Sequence, residues 1–202
     1  ASLKGIGCDC LGLARGVWRE VVGPEPFPIP PYSRDWGESG PREVLAEIAQ
    51  RVAPLGWHVV VYFEAQDLPE LWDFFTSLPT TVVVDHMGRP DVTKPVDGPE
   101  FGLFMKLMRE HPNVWSKVSC PERLSKSGPP EYDDVVPFAR RIVEAFPERV
   151  LWGTDWPHPN LKGHMPDDGK LVDYLPRIAV TPELQRKLLV DNPMRLYWPE
   201  EN

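Results

Sequence analysis

Four short stretches of this 202-residue chain end in side chains suited to acid–base chemistry and anion binding. The first supplies Tyr62 and Glu64, and the second Asp85, His86 and Arg89. The third supplies Cys120 and Arg123, and the fourth Asp155 and His158. A carboxylate such as Asp155 can take a proton from water. An imidazole such as His86 can polarise a carbonyl. Arginines such as Arg89 and Arg123 grip carboxylates in a two-point geometry that lysine lacks. Brought together, this set predicts hydrolysis of an anionic carbonyl compound.

Each residue also has a plainer use. Asp155 could cap a turn through the N–H groups that follow it. His86 could bond backbone carbonyls, Arg89 and Arg123 could form surface ion pairs, and Tyr62 could be a core tyrosine. Glu64 reads as a cap for the next helix. His158, between Pro157 and Pro159, reads as an orienting group rather than a base. His58, His111 and His164 suit solvated or structural positions. Cys120 has no histidine in its own motif and is not read as a nucleophile.

The elements that must position these groups are legible from periodicity. Trp57–Phe63, Thr80–Asp85, Val114–Ser119 and Val150–Thr154 are short apolar runs rich in β-branched residues, the texture of buried parallel strands. Helical spacing links Val44, Leu45, Ile48, Ala49 and Val52, after Pro41 at a first turn and Ser39 as a cap. Helices are expected over Leu68–Leu78, with an aromatic face of Trp72, Phe74 and Phe75, and over Phe101–Glu110 and Val135–Phe146. A last helix opens at Thr181 with a threonine cap and Pro182 at its first position. Four strand–helix alternations point to a parallel α/β sheet, and polar residues waiting at each strand end favour a barrel over a doubly wound sheet. In a barrel those ends share one rim.

A closed barrel of this kind needs eight strands, and this chain reads as about four βα units. The expected organisation is a Gly/Pro-rich segment over 1–40, including five prolines between Gly23 and Pro31, followed by a barrel portion over 41–202. The former excludes helix and central strand. The formal net charge of −8 argues against nucleic acid and acidic membranes as partners. No apolar run reaches the ~20 residues of a membrane span. Three sparse cysteines and the lack of a signal pattern predict a reducing, cytoplasmic setting. Cys8 and Cys10 lack a second pair at zinc-finger spacing.

Several multi-residue motifs occur together: Trp57-His-Val-Val-Val-Tyr-Phe-Glu64, Val84-Asp-His-Met-Gly-Arg-Pro-Asp91, Cys120-Pro-Glu-Arg-Leu124, Trp152-Gly-Thr-Asp-Trp-Pro-His-Pro-Asn160 and Asn192-Pro-Met-Arg-Leu-Tyr-Trp198. From about residue 41 to the end, the chain resembles the 2-pyrone-4,6-dicarboxylate lactonases of the amidohydrolase superfamily. The resemblance implies a distorted (β/α)₈ barrel and hydrolysis of a cyclic ester without a divalent metal or other cofactor. It implies Asp155 as the base that activates water and His86 as the group polarising the lactone carbonyl. It also implies Arg123 as a carboxylate clamp, and Tyr62 and Arg89 at the substrate; His158 is a further candidate substrate contact from its place on the same rim. A small anionic dicarboxylate is the expected partner.

The family's His-x-His pair on its first strand and its Arg-x-Asn-Phe-type segment have no counterpart here. The chain therefore corresponds to the C-terminal half of such a barrel behind an unrelated N-terminal segment, with open strand edges that favour self-association. Two related activities compete: hydrolysis of a sulfonated muconolactone, and a zinc-dependent decarboxylation that would need the missing histidines. A third reading is an inactive remnant that only associates.

Overall fold

Val114–Ser119 forms the longest strand, β3, and its register organises the rest. The computed structural model describes residues 16, 17, 19–24, 42–158, 161 and 163–201. The chain divides into two compact units, Ala1–Pro41 and Arg42–Asn202. In the first, residues 16, 17 and 19–21 are helical. The expected extended segment over 25–31, together with Ser39 and Pro41, lies outside the described residues.

In the second unit, helix α1 (Arg42–Val52) leads to strand β1 (Val59–Val61), helix α2 (Leu68–Thr76) and strand β2 (Val82–Val84). Helix α3 (Pro99–Glu110), β3, a single helical turn α4 (Pro121–Leu124), helix α5 (Val136–Ala145) and strand β4 (Val150–Gly153) follow. The four strands pair in sequence order, all parallel, with Val61 opposite Val84, Val84 opposite Ser116 and Ser119 opposite Gly153. Parallel neighbours need a crossover between them, and the amphipathic helices supply it. β1 and β4 each pair on one side only, so among the described residues each leaves an edge of the kind that recruits another strand.

Side chains alternate across a strand, and the two faces of this sheet differ accordingly. Val59, Val61, Val82, Val84, Val114, Val118 and Val150 pack with the helical side chains Phe75, Phe104, Met108, Ile142 and Leu188 into one large core. On the other face Val83, Trp115 and Leu151 form a small cluster against Leu196. Removing a fully buried ring such as Phe104 costs ~3–5 kcal/mol.

The C-terminal region departs from expectation. Helices α6 (Asp168–Asp173) and α7 (Leu175–Ile178) were not read, because Gly169 and Pro176 interrupt their periodicity. Thr181 does cap helix α8 (Pro182–Arg186), accepting from the Leu184 N–H at 3.3 Å. The chain then runs through a π-helical turn, Lys187–Asp191, into α9 (Asn192–Tyr197). The buried Asn192 amide donates to the carbonyls of Pro147 and Val150, tying α9 to the start of β4. No helix among the described residues is long and apolar enough to cross a membrane.

Candidate active site

The C-terminal ends of β2, β3 and β4 share an unusual backbone. His86, Met87, Gly88 and Arg89 all have positive φ after β2, as do Cys120 after β3 and Asp155 and His158 after β4. For a residue with a Cβ this conformation costs roughly 1–2 kcal/mol. Such strain persists only where the surroundings impose it, and it gathers at functional sites. Gly88 is needed in its run, since a Cβ there would lie 3.1 Å from Phe104 and 3.2 Å from Phe63. These turns swing polar side chains back over the strand ends.

Asp155, His86 and Arg123 meet there. His86 Nε2 lies 3.7 Å from Asp155 Oδ1, and Arg123 Nη1 lies 3.5 Å from Asp155 Oδ2. Asp155 Oδ2 is buried and accepts no hydrogen bond from any described residue. The carboxylate makes no turn-capping bond: the neighbouring Trp156 N–H is bonded instead by Thr154 Oγ1. An imidazole faces one oxygen of this carboxylate and a guanidinium faces the other. That arrangement can hold a water molecule and take its proton.

His86 is buried, and its Nδ1 lies 2.9 Å from Ser119 Oγ. An imidazole lone pair facing Asp155 would be repelled by the carboxylate. The Ser119 hydroxyl therefore donates to Nδ1, and Nε2 carries the proton towards the site. Burial holds the His86 pKa below its ordinary value, although Asp85 and Asp155 pull the other way. His86 is thus a neutral hydrogen-bond donor at neutral pH. Ser119 was not among the residues picked from sequence. Its place at the end of β3, in step with Trp115 and Lys117, is the signal that could have found it.

Tyr62 and Arg89 stand together beside this cluster. The Tyr62 hydroxyl donates to Glu64 Oε1 at 2.6 Å, and Arg89 Nε donates to Glu64 Oε2 at 3.2 Å. Arg89 also lies over the Tyr62 ring, 5.7 Å from its centre, and the Tyr62 and His86 rings meet edge-on at 6.0 Å. Burial, with the bond to Glu64, pushes the Tyr62 pKa up to about 12. Tyr62 is half-buried, with its hydroxyl engaged by Glu64. Glu64 makes no capping bond, correcting the expectation that it would serve the next helix. A cleft of about 420 Å³ opens here, lined by Glu64, Arg89, Lys94, Arg123 and Lys126 among others. His86 and Asp155 do not line it, and Arg123 is the residue common to cleft and base.

His158 is placed differently from the substrate contact expected of it. Its side chain is only 1% exposed, with Nδ1 3.2 Å from Glu122 Oε1 and Nε2 3.3 Å from Asp168 Oδ1. The first contact is a hydrogen bond; the second is close but misaligned for one. With both nitrogens facing carboxylates inside the protein, His158 orients the loops, in line with its alternative reading. Burial raises the Glu122 pKa, against the opposing pull of His158. Glu122 and Asp168 were also missed from sequence. The Cys120 thiol is fully buried, and burial, with the nearby Glu122 and Asp155, holds it protonated.

His86, Cys120 and Asp155 offer one donor atom each within 4.8 Å of one another, a cluster that could hold a metal ion. The fit is poor in charge. Arg123 already faces Asp155, so a cation stands 3.5 Å from one of the three donor groups.

A family model described as amidohydrolase matches residues 23–198. The 2-pyrone-4,6-dicarboxylate hydrolase of Comamonas testosteroni is 76% identical over 168 residues, covering 80% of this chain and 55% of that protein. The 4-sulfomuconolactone hydrolase of Hydrogenophaga intermedia is 40% identical over 152 residues, covering 74% of this chain and 50% of that protein. An apo crystal structure from Agrobacterium tumefaciens superposes with a TM-score of 0.67 at 30% identity, covering 76% of this chain and 54% of that one. The chain spans about half the length of the curated relatives it matches.

Proposed function

The chain belongs to the amidohydrolase family, and on that premise we propose that it carries the water-activating half of a lactonase site. Its substrate is 2-pyrone-4,6-dicarboxylate, opened to an acyclic tricarboxylate in the cytoplasmic breakdown of lignin-derived aromatics. The observation that carries this reading is the Asp155 carboxylate bracketed by His86 Nε2 at one oxygen and Arg123 Nη1 at the other.

Asp155 takes a proton from a bound water as the water oxygen attacks the lactone carbonyl carbon. The His86 Nε2–H donates to the carbonyl oxygen as negative charge develops on it, where one such donor supplies ~10²–10³ in rate. The ring C–O bond then breaks, the leaving oxygen takes back the proton held by Asp155, and the new carboxylic acid loses water's second proton to solvent. Arg123 holds a substrate carboxylate, Arg89 adds a second cation to the same cleft, and Tyr62 packs beside Arg89. The Arg123 cation facing Asp155 supports a reading without a divalent metal.

Loss of pyrone absorbance by the purified protein, with and without a chelator, tests the reading. Turnover that survives chelation supports it. Preference for the sulfonated muconolactone would move the substrate assignment to that lactone. Absence of turnover on both lactones from a folded chain would sink it.

A further inference from the structure

Glu64 is the residue of this site that neither the expected roles nor the proposed chemistry uses. Its carboxylate bonds two groups at once: Oε1 accepts the Tyr62 hydroxyl proton and Oε2 faces Arg89 Nε. A guanidinium has five N–H donors in a fixed fork. Glu64 spends the one on Nε. Among the described residues the four on the two terminal nitrogens make no hydrogen bond, and Arg89 lines the cleft that Glu64 and Arg123 also line. The neighbouring Tyr62 ring supports the guanidinium from the side.

Resting on the proposed function, we infer that Glu64 is a positioning residue for substrate recognition: it holds Arg89 through Nε, leaving the terminal nitrogens as a two-point clamp for the carboxylate that Arg123 does not hold. The substrate class this favours is a rigid ring with two carboxylates, one for each arginine. A free arginine would sample many rotamers, and ordering it on binding would weaken affinity. Glu64 removes that freedom beforehand. The opposite role is also physically definable. A carboxylate next to a cation could simply compete with the substrate anion, and its removal would then tighten binding.

The two roles predict opposite signs. KM and kcat for the pyrone are measured for Glu64→Gln, Glu64→Ala, Arg89→Ala and the double variant Glu64→Ala/Arg89→Ala. Melting curves establish that each is folded. Positioning predicts that KM rises about tenfold in Glu64→Ala while kcat stays within about threefold. Glutamine, with one acceptor oxygen left, falls between. The double variant is no worse than Arg89→Ala alone, because Glu64 acts through Arg89. Additive losses, an unchanged KM or a lowered KM in Glu64→Ala would overturn the inference. Calorimetric binding of benzene-1,3-dicarboxylate, which has no ester to open, separates this from the lactonase reading. Binding that weakens in Glu64→Ala, from a protein that leaves the pyrone intact, upholds the positioning role and removes the hydrolytic one. A wild-type protein that does not bind this diacid, yet opens the pyrone, overturns the positioning role alone.

Discussion

Arg123 Nη1 stands 3.5 Å from Asp155 Oδ2, so the side chain expected to clamp a substrate carboxylate also faces the side chain expected to act as base. β3 and β4 are neighbours, and the turns after them place the two groups side by side. Arg123 thus links the cleft to the reacting carboxylate. On the proposed reading, a substrate carboxylate on Arg123 would lie next to the Asp155 carboxylate.

Arg123→Lys separates geometry from charge. Lysine keeps the cation and loses the planar fork. KM for the dicarboxylate is expected to rise about tenfold or more, the scale of one charged hydrogen bond. Steady-state kinetics check this, and an unchanged KM would remove Arg123 from the clamp.

Ser119→Ala removes the donor that fixes His86 with its proton on Nε2. The imidazole then divides between tautomers. The expected result is a kcat about tenfold lower with little change in KM, since only the developing charge feels the loss. A matching fall in thermal stability without a kcat effect would mean that Ser119 merely packs His86.

The Glu122–His158 contact joins the turn carrying Arg123 to the turn carrying Asp155. Both side chains are almost wholly buried. Removing one partner strands a polar or charged group, and Glu122→Ala should cost ~3–5 kcal/mol. Denaturant unfolding of Glu122→Ala, His158→Ala and the double variant checks it. The cycle should show strong coupling, with the double variant less destabilised than the sum of the two.

His86 has a pKa depressed by burial, so its proton linkage has a definite sign. Above its ordinary value of 6.5 the imidazole is neutral in both folded and unfolded chains, and the full stability is present. Between that value and the lower folded pKa the unfolded chain binds the proton first, so stability falls as pH falls. Melting temperature followed from pH 7.5 to 5 should drop more steeply in the wild type than in His86→Asn. Equal slopes would contradict the assignment.

The strands and the residues at their ends were legible because both signals are local. Val114–Ser119 agrees to the residue, and Asp155, His86 and Arg123 fall on one rim because four parallel strands each end in a polar turn. Trp57–Phe63 was read too long, since only Val59–Val61 finds a partner strand, and pairing is a tertiary property. Ser119, Glu122 and Asp168 were missed because their importance comes from what lies across a turn, which spacing along the chain does not encode. Glu64 was assigned to a helix start by position alone. Its actual partners, Tyr62 and Arg89, converge through the pairing of β1 with β2.

The central claim is that Asp155 is the base that activates water, and Asp155→Asn tests it most directly. The amide keeps the size of the side chain and removes its ability to accept the proton. Ring opening of 2-pyrone-4,6-dicarboxylate should slow by ~10²–10⁴, while binding of benzene-1,3-dicarboxylate stays near the wild-type value. A variant that opens the ring within about threefold of the wild-type rate would contradict the account.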